Sequence, residues 1–191
     1  MLLLHICCAP CFTYVRKALR AQSIEFTGYF YNPNIHPLKE YLLRAETLKN
    51  FVSATGEKVI FNTDYPAREF IISSITLEQE GKIRCSACYE KRLRATAIAA
   101  RERGCRTYST TLLLSPYQKH ELLVEIGNRI ADEESVDFYY EDFRHGFRES
   151  IEIARAKNLY LQNYCGCIFS EFEKNQKKLK RFENVVREIE G

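Results

Sequence analysis

The sequence predicts an α/β protein of Rossmann-like (HUP-like) type: a parallel sheet of about five strands, helices on both faces, and a C-terminal helical segment. Three observations predict it. Strand-like and helix-like stretches alternate five times along the 191 residues. The connections between strands are long enough to hold a helix, which parallel strands need and antiparallel ones do not. The length suits one hydrophobic core, and no Pro-, Gly- or Ser-rich tract marks a linker. Residues 1–191 are therefore expected to form a single domain, with 1–142 as the Rossmann-like core and 143–191 as the helical segment.

Each element follows from pattern. Residues 2–6 are an apolar run interrupted only by His5, which suits a short strand buried on both faces. A helix follows from about Phe12, where Phe12, Val15, Ala18 and Leu19 share one face. Residues 25–31, EFTGYFY, are rich in aromatic and β-branched types and read as a strand ending in the turn signal Asn32-Pro33-Asn34. Leu38, Tyr41, Leu42, Ala45, Leu48, Phe51 and Val52 keep helical spacing, and Gly56 ends that helix. A third strand over residues 58–61 runs out at Asp64. Pro66 opens a helix to about residue 80, and Cys85 opens another to about residue 103. A fourth strand lies within residues 105–114, Ser115-Pro116 opens the next helix, and residues 136–140 form the fifth strand. A short helix over 148–157 and a final helix to about residue 190 complete the chain. The buried stripe of that final helix is expected to be Phe172, Leu179, Phe182, Val186 and Ile189.

Eight cysteines in a chain of this size need a chemical reason. A disulfide framework would require export. The apolar start is too short for a signal peptide and lacks a basic leader, and no run is long enough to cross a bilayer. In the cytoplasm thiols stay reduced, so clustered cysteines point to metal or redox work. Seven of the eight fall in three groups: Cys7, Cys8 and Cys11 after the first strand; Cys85 and Cys88 at a helix start, where the exposed N–H groups favour thiolate; and Cys165-Gly166-Cys167. Strand ends and helix starts meet at one edge of a doubly wound sheet, so all three groups are expected to converge there. Seven thiols exceed the four that a zinc ion or one iron–sulfur cluster uses. Cys105, alone at a strand start, reads as a small buried hydrophobe. The first turn contains no glycine, so it lacks the close backbone approach that a dinucleotide pyrophosphate requires.

His36 and Asp64, at the ends of the second and third strands, lie at the expected ligand edge; Asp64 suits a hard metal or a proton-orienting role. His5 suits a core or a site role equally. The net charge of +3 implies no polyanion by itself, but its distribution is uneven. Residues 82–106 hold eight basic and two acidic residues, residues 174–181 five basic and no acidic, and residues 132–142 six acidic and no basic. Such runs describe a solvated face as readily as a phosphate-binding one.

HICCAPC at 5–11, GYFYNPNIHP at 28–37, RCSACYEKRL at 84–93, TTLLLSP at 110–116 and LYLQNYCGCIFS at 159–170 resemble the QueH-type epoxyqueuosine reductases, and the likeness spans most of the chain. One departure is Ala9, where members often carry glycine. The resemblance implies reduction of the epoxide of epoxyqueuosine at the tRNA wobble position, the last step of queuosine synthesis. It also implies a [4Fe–4S] cluster, an adjacent mononuclear iron, independence from cobalamin and an electron donor still to be identified. On this basis Cys8, Cys85, Cys88 and Cys167 are expected to hold the cluster. The remaining thiols, Cys7, Cys11 and Cys165, together with Asp64, would hold the iron, with Asp64 and His36 as catalytic candidates. Arg84, Arg92, Arg94, Lys177, Lys178 and Lys180 would meet RNA phosphates while an extruded base enters the site. The competing expectation is a zinc-stabilised tRNA-binding or tRNA-modifying module without redox chemistry.

Overall fold

Strand β1 (Leu2–His5) is the central strand, and every one of its side chains is buried, His5 together with the three leucines before it. In the computed structural model, which describes residues 1–190, the elements continue as α1 (Ala9–Ala21), β2 (Phe26–Phe30), α2 (Leu38–Thr55), β3 (Val59–Phe61), α3 (Ala67–Gln79), α4 (Cys85–Glu102), β4 (Thr107–Thr110), α5 (His120–Glu134), β5 (Asp137–Phe138), α6 (Phe147–Ala156) and α7 (Ile168–Glu190). Gly191, the last residue of the expected domain, lies outside the described residues. The five strands are all parallel in the order β3-β2-β1-β4-β5. The α/β Rossmann-like architecture expected from the alternation is therefore the one observed.

This order fixes where a ligand can bind. From β1 the chain moves outward through β2 and β3, then returns to place β4 on the other side of β1. The connections leaving β1 and β4 diverge to opposite faces, and the crevice beyond their carboxyl ends is the usual ligand position of an open α/β sheet. Helices α4 and α5 pack together on one face, and α1, α2 and α6 on the other. Gly56 closes α2 in a left-handed conformation, φ 70°, the role its position in the sequence indicates.

Several boundaries differ from the sequence expectation. α1 begins at Ala9 rather than Phe12, because Pro10 falls in its first turn, where a missing N–H is harmless. Residues 111–114 form a 3₁₀ turn rather than more strand, started by the Thr110 hydroxyl accepting from the Leu112 N–H at 3.1 Å. α5 begins at His120, not at Ser115-Pro116. Ser115 instead closes a turn, its hydroxyl accepting from the Tyr117 N–H and its carbonyl from the Gln118 N–H. The largest difference is α7. Phe172, Leu179, Phe182 and Ile189, expected to be buried, are all exposed, and Val186 is only half-buried. The amphipathic pattern forms the helix it predicts, but among the described residues no other element buries that face.

Candidate metal centre

The opening turn places three thiols together at the carboxyl end of β1. Cys7 leaves the strand, Cys8 is the residue capping α1, and Cys11 lies in the first helical turn. Their three sulfur atoms lie within 4.8 Å of one another, and the Cys7 and Cys8 sulfurs are 3.7 Å apart. Thr111, just beyond β4, fixes Cys7 twice. Its hydroxyl oxygen accepts from the Cys7 N–H at 3.0 Å, and the hydroxyl donates to the Cys7 sulfur at 3.3 Å. Gln162 donates from Nε2 to the Cys8 sulfur at 2.8 Å. Hydrogen bonds from Cys11 and Cys8 hold the Cys7 thiol well below its ordinary value. Burial pushes Cys8 up to about 12, and the bond to Cys7 pushes Cys11 well up. Cys7 is thus the member of the triad whose thiolate the surroundings favour, and a bound cation would favour the thiolate form of the other two as well.

Cys7 and Cys11 face a cavity of about 1000 Å³, and Cys85, Cys88, Cys165 and Cys167 line the same space. The three cysteine groups, far apart in sequence, therefore meet. Cys85 is the first residue of α4, and Cys88 sits one turn on, buried. Arg92, buried one further turn along, donates from Nη2 to the Cys88 sulfur at 2.8 Å and from Nε to the Cys88 carbonyl at 3.1 Å. Burial pushes the Cys88 thiol up to about 12, with the Arg92 guanidinium pulling the other way. Burial, then the neighbouring Cys165, raise Cys85 and Cys167 as well. Cys88 and Cys167 also share a small apolar cluster with Phe70.

The Cys-Gly-Cys segment is held in place by its backbone. Gly166 has φ +113°, and a Cβ there would lie 2.9 Å from Ile35 Cγ1, so glycine meets both a conformational and a spatial requirement. The Gly166 carbonyl accepts from the His36 N–H at 2.7 Å. Arg44, buried on α2, donates from Nη1 to the Cys165 carbonyl at 3.1 Å and from Nη2 to the Tyr164 carbonyl at 3.0 Å, while Nε meets Glu40 at 2.7 Å.

The remaining residues singled out in the sequence are placed as follows. His36 is buried beside the rings of Tyr65 and Phe70, its carbonyl accepts from the Tyr164 hydroxyl at 2.5 Å, and burial lowers its pKa. It supports the Cys-Gly-Cys segment from behind and does not line the cysteine cavity. Asp64 is exposed and lines a separate space of about 550 Å³ with Tyr29, Tyr31 and Asn62. His5 has a core role. Its Nε2 donates to the Tyr31 carbonyl at 3.2 Å, its Nδ1 accepts from the Thr110 hydroxyl at 2.8 Å, and burial lowers its pKa to about 4. Cys105 is buried among apolar groups, as expected.

The basic residues divide. Arg92 is committed to Cys88 and enclosed. Arg94 is bound by Glu90, Glu133 and Glu134, and Arg84 by Glu78 and Glu173. Lys177, Lys178 and Lys180 are exposed on α7, and Lys82, Lys119 and Lys174 line the cavity. Arg44, Thr111 and Gln162 act on the cysteines but were not singled out in the sequence. Arg44 alone left a signal: a charged residue within the apolar helical stripe of Tyr41, Ala45 and Leu48.

A protein-family model described as epoxyqueuosine reductase QueH matches residues 2–173. The curated epoxyqueuosine reductase QueH of Dehalococcoides mccartyi is 36% identical over 173 residues, covering 91% of this chain and 93% of that protein. The one from Staphylococcus epidermidis is 38% identical over 180 residues, covering 88% and 75%. The one from Thermotoga maritima is 34% identical over 182 residues, covering 92% of each. The matched residues include all three cysteine groups and end inside α7.

Proposed function

The chain belongs to the epoxyqueuosine reductase QueH family, and we propose that it reduces the epoxide of epoxyqueuosine, carried at the wobble position of a tRNA, to the alkene of queuosine. We place this activity in the cytoplasm and independent of cobalamin. The observation that carries the proposal is the gathering of the three cysteine groups around one cavity large enough for a nucleoside. Removing an epoxide oxygen as water consumes two electrons and two protons and leaves a carbon–carbon double bond.

The donor set fits metal, and its spacing supports a division. Tetrahedral bonds of 2.3 Å to sulfur place the sulfurs about 3.8 Å apart. The 3.7 Å between Cys7 and Cys8, and the 4.8 Å limit on the whole triad, match a single ion. Cys85, Cys88, Cys165 and Cys167 line the same cavity and supply the four thiolates that one iron–sulfur cluster uses. We therefore assign a [4Fe–4S] cluster to Cys85, Cys88, Cys165 and Cys167, and a single iron to Cys7, Cys8 and Cys11. When bound, these centres supply electrons and a Lewis acid for the departing oxygen. In this division Asp64 and His36 are not ligands.

The chain's own residues do the rest. Arg92 offsets thiolate charge at Cys88 inside the protein, where water cannot. Thr111 and Gln162 orient Cys7 and Cys8. Leu112, Ile151 and Leu161 give the cavity apolar wall. Lys82, Lys119 and Lys174 offer positive charge to the phosphates of an anticodon loop whose target base has left its stack. The test is anaerobic purification with iron and sulfide counting. Cys85→Ser with Cys88→Ser is expected to remove the sulfide and most of the iron. Cys7→Ser with Cys11→Ser is expected to remove a single iron and leave the sulfide. A colourless wild type holding only zinc would establish the redox-silent alternative instead.

A further inference from the structure

We propose that α7 pairs with α7 of a second copy of this chain as a parallel two-stranded coiled coil. Ile168, Phe172, Asn175, Leu179, Phe182, Val186 and Ile189 follow one another at intervals of four, three, four, three, four and three residues. This is a strict seven-residue repeat kept over three heptads. A helix covering its own domain shows a broader apolar stripe at period 3.6, whereas a narrow seam at period 3.5 is what two supercoiled helices present to each other. In the single chain five of the seven seam residues are bare: Ile168, Phe172, Leu179, Phe182 and Ile189 are between 43% and 78% exposed, and Asn175 and Val186 are half-buried. From Gln176 to Arg187 every residue is exposed except Val186, so the helix stands clear of the domain and leaves room for a partner.

Charge identifies that partner as a second copy and sets its direction. With Phe172, Leu179 and Val186 at the a positions, Lys178 takes a g position and Glu183 the following e position. In a parallel, in-register pair the g residue of one helix faces the next e residue of the other, so Lys178 of each copy meets Glu183 of its partner on both flanks. An antiparallel pair places g against g and e against e and cannot make this contact. Asn175 is the one polar residue of the seam, and in register it meets its own counterpart. An offset of one heptad sets it against Ile168 or Phe182 and replaces the polar pair by a polar group facing an apolar one. Lys174, Lys177, Lys180 and Arg181 fall at the outer b, c and f positions, so the paired stem would carry a doubled basic face and no basic cluster in its seam.

The test is sedimentation equilibrium of the full-length, metal-loaded protein over a concentration series, with far-UV circular dichroism and thermal melting of each variant. The wild type is expected to dimerise, and Leu179→Glu with Phe182→Glu to remain monomeric with the melting of the domain unchanged, because both side chains are exposed. Lys178→Glu alone is expected to raise the dimer dissociation constant, and Lys178→Glu combined with Glu183→Lys to restore it. A wild type that stays monomeric throughout the series, or a Leu179→Glu/Phe182→Glu variant that dimerises as the wild type does, overturns the proposal. Failure of the paired charge reversal to restore association overturns its parallel direction.

Discussion

At the scale of single residues, the cysteine cavity depends on side chains that hold its cysteine-bearing segments in place. Arg44 ties α2 to the two carbonyls that precede Gly166, so Arg44→Met should leave those carbonyls and Glu40 without a cationic partner. Breaking such a buried, charge-assisted network costs about 3–5 kcal/mol, and the expected result is a lower melting temperature together with reduced iron content. Gly166→Ala acts by a different route. It imposes a side chain at φ +113° against Ile35, and is expected to cut iron content while the secondary structure seen by circular dichroism stays intact. Thr110 illustrates the same economy in the core, its hydroxyl donating to His5 and accepting from the Leu112 N–H. Thr110→Val strands both partners, and the expected loss is about 1–3 kcal/mol for each, read from denaturant unfolding.

At the scale of elements, the basic stretch that begins α4 turns out to serve packing more than recognition. Arg94 binds Glu90 on its own helix and Glu133 and Glu134 on α5, Arg101 joins Glu134, and Arg129 returns to Glu90 and Glu133. The acidic run at residues 132–142 supplies part of the partners, through Glu133 and Glu134. Arg94→Ala is therefore expected to lower stability by about 1 kcal/mol, less in high salt, and to leave tRNA affinity unchanged in a filter-binding titration. A fall in affinity with no change in melting would restore Arg94 to the phosphate-binding set.

At the scale of the whole molecule, Lys82, Lys119 and Lys174 line the cysteine cavity and Lys177, Lys178 and Lys180 are exposed on α7, so RNA is expected to lie across the cavity and that helix. Neutralising Lys177 and Lys180 together should weaken tRNA binding at every sequence context. It should also flatten the slope of log affinity against log salt by roughly 1.4–1.8 units, since each phosphate contact contributes about 0.7–0.9. An unchanged slope would place the RNA elsewhere. No helix among the described residues is long and apolar enough to cross a membrane.

The sequence by itself determined the alternation of strands and helices, the parallel sheet that follows from long crossovers, and the three cysteine groups, because each is written in local periodicity or in spacing of a few residues. Even its errors there are small, such as the start of α5, where Ser115 captures a turn that Pro116 appeared to begin. Only the tertiary structure decided which cysteines are close and what holds them. Thr111 reaches Cys7 across 104 positions, Arg44 reaches Cys165 across 121, and Gln162 reaches Cys8 across 154. No local pattern encodes such pairs; they exist because β1 and β4 lie side by side and the segment after α6 returns over their ends. The opening turn Cys7-Cys8-Ala9-Pro10-Cys11 is legible as a candidate metal site from its composition, but the closeness of its three sulfurs, and the cavity they share with the other two cysteine groups, appear only in three dimensions. The same holds for α7. Its periodicity fixed a helix with an apolar face, and only the absence of a covering surface among the described residues turned that face from core into a surface for a partner.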